Sequence, residues 1–235
     1  MTKLNINIDH VATLRQARLS FNPDPVQAAR IAKKSKVNGI VIHLREDRRH
    51  IQDKDLIRLK KEKNLHINLE MAPTKEMFLI ANKIKPNVIT LVPEKRKELT
   101  TEGGLNVKKN YKMLQARLKT VNPKIKVMMF IDPTKVQIEF SKKLKVYGIE
   151  INTAKYSESK GLSALREIKK IKKAVQFANE KNLYIAAGHG LNEKNLKRIS
   201  KIKEIKEYNI GHSIIGNAIF YGLKESIKKI QDIIK

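Results

Sequence analysis

The 235-residue chain contains no cysteine and no tryptophan, and aromatic residues make up only 5% of it. The absence of cysteine excludes disulfides, thiolate catalysis and cysteine-ligated metals. No apolar run approaches the roughly 20 residues that cross a bilayer, and the sequence does not open with a charged-then-apolar leader. We therefore expect a soluble, cytoplasmic protein with no membrane partner.

Acidic residues are also scarce, because 23 Asp and Glu accompany 50 Lys and Arg, for a formal net charge of +27. A positive charge of this size is typical of proteins that bind nucleic acids or acidic surfaces. The lysines, however, are spread over nearly every helical segment, and few aromatic side chains are available to stack on bases. We expect a solvated basic exterior and no nucleic-acid partner, and we keep nucleic-acid binding as an alternative.

Short apolar segments alternate with helical patterns along the whole chain. Asp24-Pro25 and Asp132-Pro133 each combine a helix N-cap with a proline, and Asn192 is a further N-cap. The alternation, the short connections and the absence of a change in composition predict one domain over residues 1–235, an α/β fold with a single (β/α)8 TIM barrel. A doubly wound sheet is the alternative. The predicted strands are 3–9, 39–44, 65–69, 88–92, 125–131, 148–151, 183–187 and 208–210.

Polar residues collect where these strands end, which is where barrel enzymes place their active groups. Four histidines end predicted strands, His50 lies in the loop after the second strand, and His66 is near a strand start. Imidazole and desolvated carboxyl groups can both accept and donate protons near neutral pH. No short two-histidine spacing of a helical metal site is present, so we predict no metal. The strand-end histidines are His10, His43, His189 and His212, and the acids nearby are Asp9, Glu70, Asp132 and Glu150.

Two segments have the character of phosphate sites. Gly188-His189-Gly190 follows the seventh predicted strand and 209–212 the eighth, where barrels commonly bind phosphate through backbone N–H groups. Arg45 and His50 form a cationic cluster after the second strand. Two anion pockets in one barrel mouth predict either one bisphosphate or two phosphorylated substrates. The long loop at 93–105 is expected to be functional.

Several motifs in collinear order resemble the pyridoxine 5′-phosphate synthase family over nearly the whole chain. They are Asn7-Ile8-Asp9-His10, HLREDRRHI at 43–51, NLEM at 68–71, LVPEKR at 91–96, TTEGGL at 100–105, GHGL at 188–191 and NIGH at 209–212. The resemblance implies a barrel without a cofactor that condenses 1-deoxy-D-xylulose 5-phosphate with 3-amino-2-oxopropyl phosphate. It would close the pyridine ring of vitamin B6, release phosphate and water, and form a homo-octamer.

The resemblance also implies roles for individual residues. His43 and Glu70 are similar to the family's proton acceptors, His189 to its proton donor and Glu150 to its transition-state stabiliser. The deoxyxylulose phosphate site would contain Asp9, His10, Arg45, His50 and Thr100, and the aminoketone phosphate site Asn7, Arg18, Gly190, Gly211 and His212.

The chain departs from the family's usual residues at Asn152, Ala154 and Asn217, where His, Gly and Arg are usual. None of these changes removes a proposed catalytic group. The alternative interpretation of the same site is another phosphate-handling barrel enzyme, such as an aldolase or isomerase.

Overall fold

A computed structural model describes residues 2–94 and 103–235. Eight parallel strands form a closed barrel in chain order, in which the first strand also pairs with the last. The (β/α)8 barrel predicted from the alternation of segments is therefore confirmed, and the doubly wound sheet is excluded. The strands are β1 (Lys3–Asn7), β2 (Gly39–His43), β3 (Ile67–Met71), β4 (Val88–Leu91), β5 (Lys126–Ile131), β6 (Gly148–Asn152), β7 (Tyr184–Gly188) and β8 (Glu207–Ile210).

The described residues form eleven helices. Gly222, with φ of +76°, separates the last two helices. The helices are α1 (Asp9–Ala17), α2 (Pro25–Lys34), α3 (Asp53–Lys60), α4 (Lys75–Ile84), α5 (Tyr111–Leu118), α6 (Lys135–Lys143), α7 (Ala154–Glu158), α8 (Gly161–Glu180), α9 (Glu193–Ile199), α10 (His212–Tyr221) and α11 (Leu223–Ile234). Among these helices, none combines the length and the apolar character needed to cross a bilayer.

The helix caps confirm some sequence signals and correct others. Asp24 caps α2 by accepting from the Val26 N–H at 3.1 Å, and Asn192 caps α9, both as predicted. Asp132 does not cap α6, whose N-cap is Thr134. Asp132 instead accepts hydrogen bonds from the Gly104 N–H and from the side chain of Asn152, each at 3.0 Å. It therefore joins the segment before α5 to the end of β6.

Two sets of side chains alternate along each strand, because successive residues point to opposite faces. One set, including Ile6, Ile40 and Ile42, belongs to the large apolar core that includes the surrounding helices. The other set points into the barrel and includes a small apolar cluster of Val88, Met128 and Ala186. The interior also contains buried polar side chains, namely Asn5, Asn68, Thr90, Glu150, Glu207 and Asn209. The barrel interior is thus partly polar below its C-terminal mouth.

Candidate active site

A cavity of about 660 Å³ lies at the C-terminal ends of the strands. It collects five of the six histidines, whereas His66 precedes β3 at the opposite end. Arg18 does not line the cavity and is exposed just after α1, and Thr100 lies outside the described residues. The predicted site residues that line the cavity are Asn7, Asp9, His10, His43, Arg45, His50, Glu70, Glu150, His189, Gly190, Gly211 and His212.

His43, the last residue of β2, is held by two acids. Its backbone N–H donates to Asp9 Oδ1 at 2.8 Å, and its Nε2 lies 2.8 Å from Glu94 Oε1. The other Glu94 oxygen accepts from the Glu46 N–H at 3.0 Å. Burial acts to raise the pKa of Glu94, but the bond to His43 and the charge of that ring lower it overall. Glu94 is therefore an ionised partner that orients the imidazole.

Glu94 was not among the site residues predicted from the sequence. It follows β4 within the loop that the sequence marks as functional and lies in the LVPEKR motif at 91–96, and these two features are the signals that could have indicated it. Nothing in the local pattern reveals its partner, because His43 and Glu94 are 51 residues apart in the chain.

Two carboxyl groups lie deeper in the cavity. Glu70 is paired in register with His43 across β2 and β3, and Asn7 Nδ2 lies 3.4 Å from Glu70 Oε2. Burial, together with the nearby charges of Glu150 and Asp9, raises the pKa of Glu70 well above its usual value. A carboxyl group whose pKa is raised by burial and nearby negative charge can exchange protons with a substrate near neutral pH.

Glu150 on β6 is only 2% exposed and accepts a 2.7 Å hydrogen bond from Asn209 Nδ2. Burial raises its pKa to about 8; the bond from Asn209 opposes this shift and the charge of Glu207 adds to it. A side chain at position 188 would collide with this carboxyl group, because an ideal Cβ there would lie 2.2 Å from Glu150 Oε1. Gly188 therefore provides the space that Glu150 occupies.

Three histidines of the cavity are biased toward the neutral form. Burial lowers the pKa values of His10, His50 and His189, and the neighbouring His212, whose ring centroid is 4.8 Å away, lowers that of His10 further. His50 Nδ1 accepts from the Ile51 N–H at 2.8 Å, which places the proton of the neutral ring on Nε2. His10 Nδ1 has no hydrogen-bond partner within the described part of the chain. These rings can therefore bind or exchange protons with a ligand.

The turn after β7 has an unusual backbone. His189 and Gly190 have φ values of +82° and +75°, and the Thr153 hydroxyl donates to the carbonyls of Gly188 and His189 at 2.8 and 2.6 Å. A left-handed conformation is uncommon for a non-glycine residue and is often found at functional sites. Thr153 thus stabilises the turn that presents the His189 side chain to the cavity.

Two parts of the rim have the character of anion sites. At the first, the N-cap of α10 is Gly211, which provides no side-chain cap, and Gly211, His212 and Ser213 all line the cavity. The backbone N–H groups of such a helix start are suited to phosphate. At the second, Arg45 is 3% exposed and lines the cavity with Arg49 and His50. The two anion pockets predicted from the sequence stay a prediction at these two positions.

Comparisons with known proteins show the family of the chain. The family described as pyridoxal phosphate biosynthesis protein PdxJ matches residues 4–235. The chain belongs to this family. It is 51% identical to a pyridoxine 5′-phosphate synthase of Sulfurihydrogenibium sp. (strain YO3AOP1), with 99% of this chain and 97% of the relative covered. It is 48% identical to the synthase of Thermodesulfovibrio yellowstonii, with 100% and 98% covered. The family predicted from the motifs is therefore confirmed.

Solved structures with the same architecture are more distant in sequence. KGPDC from Streptococcus mutans has a TM-score of 0.67 at 13% identity and covers 100% of this chain and 98% of its own. Phosphoribosyl anthranilate isomerase from Thermococcus kodakaraensis has a TM-score of 0.62 at 12% identity, with 100% and 99% covered. At these identities the likeness shows the barrel fold alone.

The three departures from the family's usual residues lie away from the cavity lining. Asn152 bonds to Asp132 at 3.0 Å, and its side-chain oxygen accepts from the Ala154 N–H at the same distance. Asn217 donates to Glu193 at 3.0 Å. Each substituted residue therefore fits its own surroundings and leaves the cavity side chains in place.

Asp9, His43 and Glu70 could hold a cation, because their potential ligand atoms lie within 4.8 Å of one another. The sequence showed no metal-ligand spacing, since these residues come from three different parts of the barrel. Each side chain already has a partner: Asp9 accepts from the His43 N–H, His43 contacts Glu94, and Glu70 faces Asn7. Metal binding would compete with the interactions of His43 Nε2 and Glu70.

Proposed function

We propose that the chain catalyses the condensation of 1-deoxy-D-xylulose 5-phosphate with 3-amino-2-oxopropyl phosphate to give pyridoxine 5′-phosphate, phosphate and water. Membership of the family supports this reaction. The observation that carries it is the convergence of His43, Glu70 and His189 in one cavity whose rim has two anion sites. A reaction that joins two phosphate esters and moves several protons needs this combination.

The proposed chemistry uses acid and base groups that lie close together. The amine of one substrate attacks the ketone of the other, and loss of the carbonyl oxygen as water gives an imine. His43, held by Glu94, and Glu70 then remove protons in the enolisation and elimination steps. His189 protonates the leaving oxygens. Glu150, kept protonated by its buried position, donates a hydrogen bond to negative charge that develops in the transition state.

The two substrates are assigned to the two parts of the rim. Arg45 and His50, with Asp9, His10 and Thr100, would bind deoxyxylulose phosphate. The turn after β7 and the start of α10 would bind the aminoketone phosphate through Asn7, Gly190, Gly211 and His212. Arg18 stays in this proposal as a second cation for the aminoketone phosphate, although its exposed position after α1 is outside the cavity.

We also propose that the enzyme works in the cytoplasm, as a homo-octamer, without a cofactor, a metal or a nucleic-acid partner. These properties are those that the family resemblance and the composition imply.

The test is to incubate purified, chelator-treated protein with both substrates and to follow the absorbance of pyridoxine phosphate. We expect product only when both substrates are present. A product from either phosphate ester alone would instead indicate an aldolase or isomerase. A gel shift with long RNA or DNA that persists when Arg45 and His50 are both neutralised would favour nucleic-acid binding.

A further inference from the structure

Glu207 is a buried carboxyl group that the proposed chemistry does not use. It opens β8, is 6% exposed and is not among the residues that line the cavity. Its neighbours Tyr208 and Ile210 belong to the core that includes the surrounding helices. Because side chains alternate along a strand, Glu207 points into the barrel, below the active-site carboxyl groups. Burying a carboxyl group in such a position is costly unless other groups compensate it.

Glu207 is held at the base of the barrel. The Tyr184 hydroxyl donates to Glu207 Oε2 at 3.1 Å. The Tyr184 ring stacks on Tyr147 with centroids 4.9 Å apart, and the Lys3 ammonium lies 5.5 Å from the Tyr184 centroid. The groups that face Glu207 are therefore Tyr184 on β7, Lys3 and Asn5 on β1, Asn209 on β8 and Glu150 on β6.

Asn209 connects this base to the cavity. Its Nδ2 donates to Glu150 Oε2 at 2.7 Å, and its Oδ1 accepts from Asn5 Nδ2 at 3.1 Å. Rotating the amide by half a turn would break both bonds, so Asn5 fixes which end of Asn209 faces Glu150. The side chain of Glu150 is thus attached to a buried polar network that continues down to Glu207.

The negative charges of the carboxyl groups in this network raise one another's pKa values. Burial raises the pKa of Glu207 overall, and the bond from Tyr184 and the charge of Lys3 offset part of that rise. Glu207 in turn raises the pKa of Glu150, and Glu150 raises that of Glu70. Three carboxyl groups that share one low-dielectric interior cannot all be ionised, so a charge on the lowest favours protons on those above it.

We propose that Glu207 is a positioning residue which, from below the cavity and together with Asn209, keeps Glu150 in the protonated form that the reaction uses. This inference rests on the proposed synthase function. The competing explanation is that Glu207 only satisfies the Tyr184 hydroxyl and fills space.

The first test compares Glu207→Gln with Glu207→Asp. Gln keeps the size of the side chain but removes its charge, whereas Asp keeps the charge and shortens the side chain. If Glu150 acts in its protonated form, activity falls as pH rises through its pKa. Removing the charge lowers that pKa, so we expect the alkaline limb of the kcat profile to move to lower pH by about one unit in the Gln variant. We expect the limb to stay near its original position in the Asp variant, with KM values little changed in both.

Tyr184→Phe is the second variant. It tests the same shift of the alkaline limb if Glu207→Gln does not fold. Removing the hydroxyl raises the pKa of Glu207, so the carboxyl is ionised less often and repels Glu150 less. The alkaline limb should move in the same direction as in Glu207→Gln, by a smaller amount. An unchanged limb in both Glu207→Gln and Tyr184→Phe would overturn the proposal, and so would equal impairment by Glu207→Asp and Glu207→Gln.

A second measurement needs no catalysis. The infrared carbonyl band of the protonated Glu150 carboxyl, assigned by its loss in Glu150→Gln, can be titrated in the unliganded protein. Its midpoint should be lower in Glu207→Gln than in the original chain. If the original chain forms no pyridoxine phosphate, the proposed function fails, but this titration still decides whether Glu207 controls Glu150. Equal midpoints would overturn the inference and leave the proposed function intact.

Discussion

The two ends of the barrel contain titratable side chains in different surroundings. At the C-terminal mouth, imidazole and carboxyl groups surround a cavity of about 660 Å³. At the base, Tyr147 and Tyr184 stack on each other, and Lys126 and Lys3 lie over their rings at 4.3 and 5.5 Å from the centroids. The base groups pair with one another, whereas the mouth groups are arranged around space for a ligand. The groups proposed to contact substrate therefore lie at the mouth, whereas the base contributes stability and, through Glu207, the proposed control of Glu150.

Histidine shows the contrast most directly. Burial lowers the pKa of both His10 at the mouth and His66 near the base. The second cause differs, because His10 faces another histidine, whereas His66 faces Lys3 and Lys126. A lowered pKa alone therefore does not identify an active-site histidine in this protein. An active-site histidine is identified here by its neighbouring residues and by the cavity that it adjoins.

The largest expected effect is a loss of turnover on substitution at the mouth. His43→Gln, Glu70→Gln and His189→Gln should each lower kcat about 10²-fold or more, because each removes a proton acceptor or donor. His66→Gln is the matched control at the other end and should leave kcat unchanged. Steady-state assays of pyridoxine phosphate formation measure all four. Near-normal rates in all three mouth variants, or an equal loss in the control, would contradict the division of roles.

The sequence predicted the order of the elements better than their ends. The third strand was predicted at 65–69 but runs from Ile67 to Met71, so Glu70 lies within the strand and not beyond it. The first strand was predicted to reach Asp9, yet α1 begins there and includes His10. No proline or glycine marks that helix start, and Ile8 provides no side-chain cap. Hydrophobic alternation shows which segments are strands, but pairing with neighbouring strands sets where they stop.

Convergence of the site could be predicted because the topology of a parallel barrel brings every strand end to the same rim. Contacts within the site could not be predicted in the same way. The pairs His43–Glu94 and Asn209–Glu150 join residues 51 and 59 positions apart, and their formation depends on loop conformation and interior packing. The cation-binding geometry of Asp9, His43 and Glu70 was missed for the same reason.

Glycines at the two ends offer a second, smaller contrast. An ideal Cβ at Gly188 would lie 2.2 Å from the Glu150 carboxyl, and one at Gly148 would lie 2.4 Å from the Tyr184 carbonyl oxygen. Gly188→Ala should displace Glu150 and lower kcat about tenfold or more, since small misplacements of reacting groups are costly. Gly148→Ala should lower the free energy of unfolding by about 1–3 kcal/mol and leave kcat of the folded protein unchanged.

Urea unfolding and steady-state kinetics on both glycine variants separate these outcomes. Each variant is the control for the other, because both add one methyl group to a buried glycine at one end of a strand. If Gly148→Ala lowered kcat as much as Gly188→Ala, general distortion of the barrel would explain both effects.

The smallest expected effect concerns the cation over the ring at the base. Lys126→Met keeps most of the aliphatic chain but removes the ammonium that lies 4.3 Å from the Tyr147 centroid. Because Lys126 is exposed, we expect the free energy of unfolding to fall by only about 0.5–1 kcal/mol. The pKa of His66 should rise at the same time, since Lys126 is one of the charges that lower it, and an NMR titration of that ring measures the change.

Lys124→Met is the control for this last prediction. Lys124 is exposed two residues earlier, and its ammonium does not lie over a ring in residues 2–94 and 103–235. Both variants reduce the net positive charge equally, so a loss of stability confined to Lys126→Met isolates the contact with Tyr147. Equal changes in the two variants would assign the effect to net charge instead. In either case kcat should stay constant, because the proposed acid and base groups all lie at the other end of the barrel.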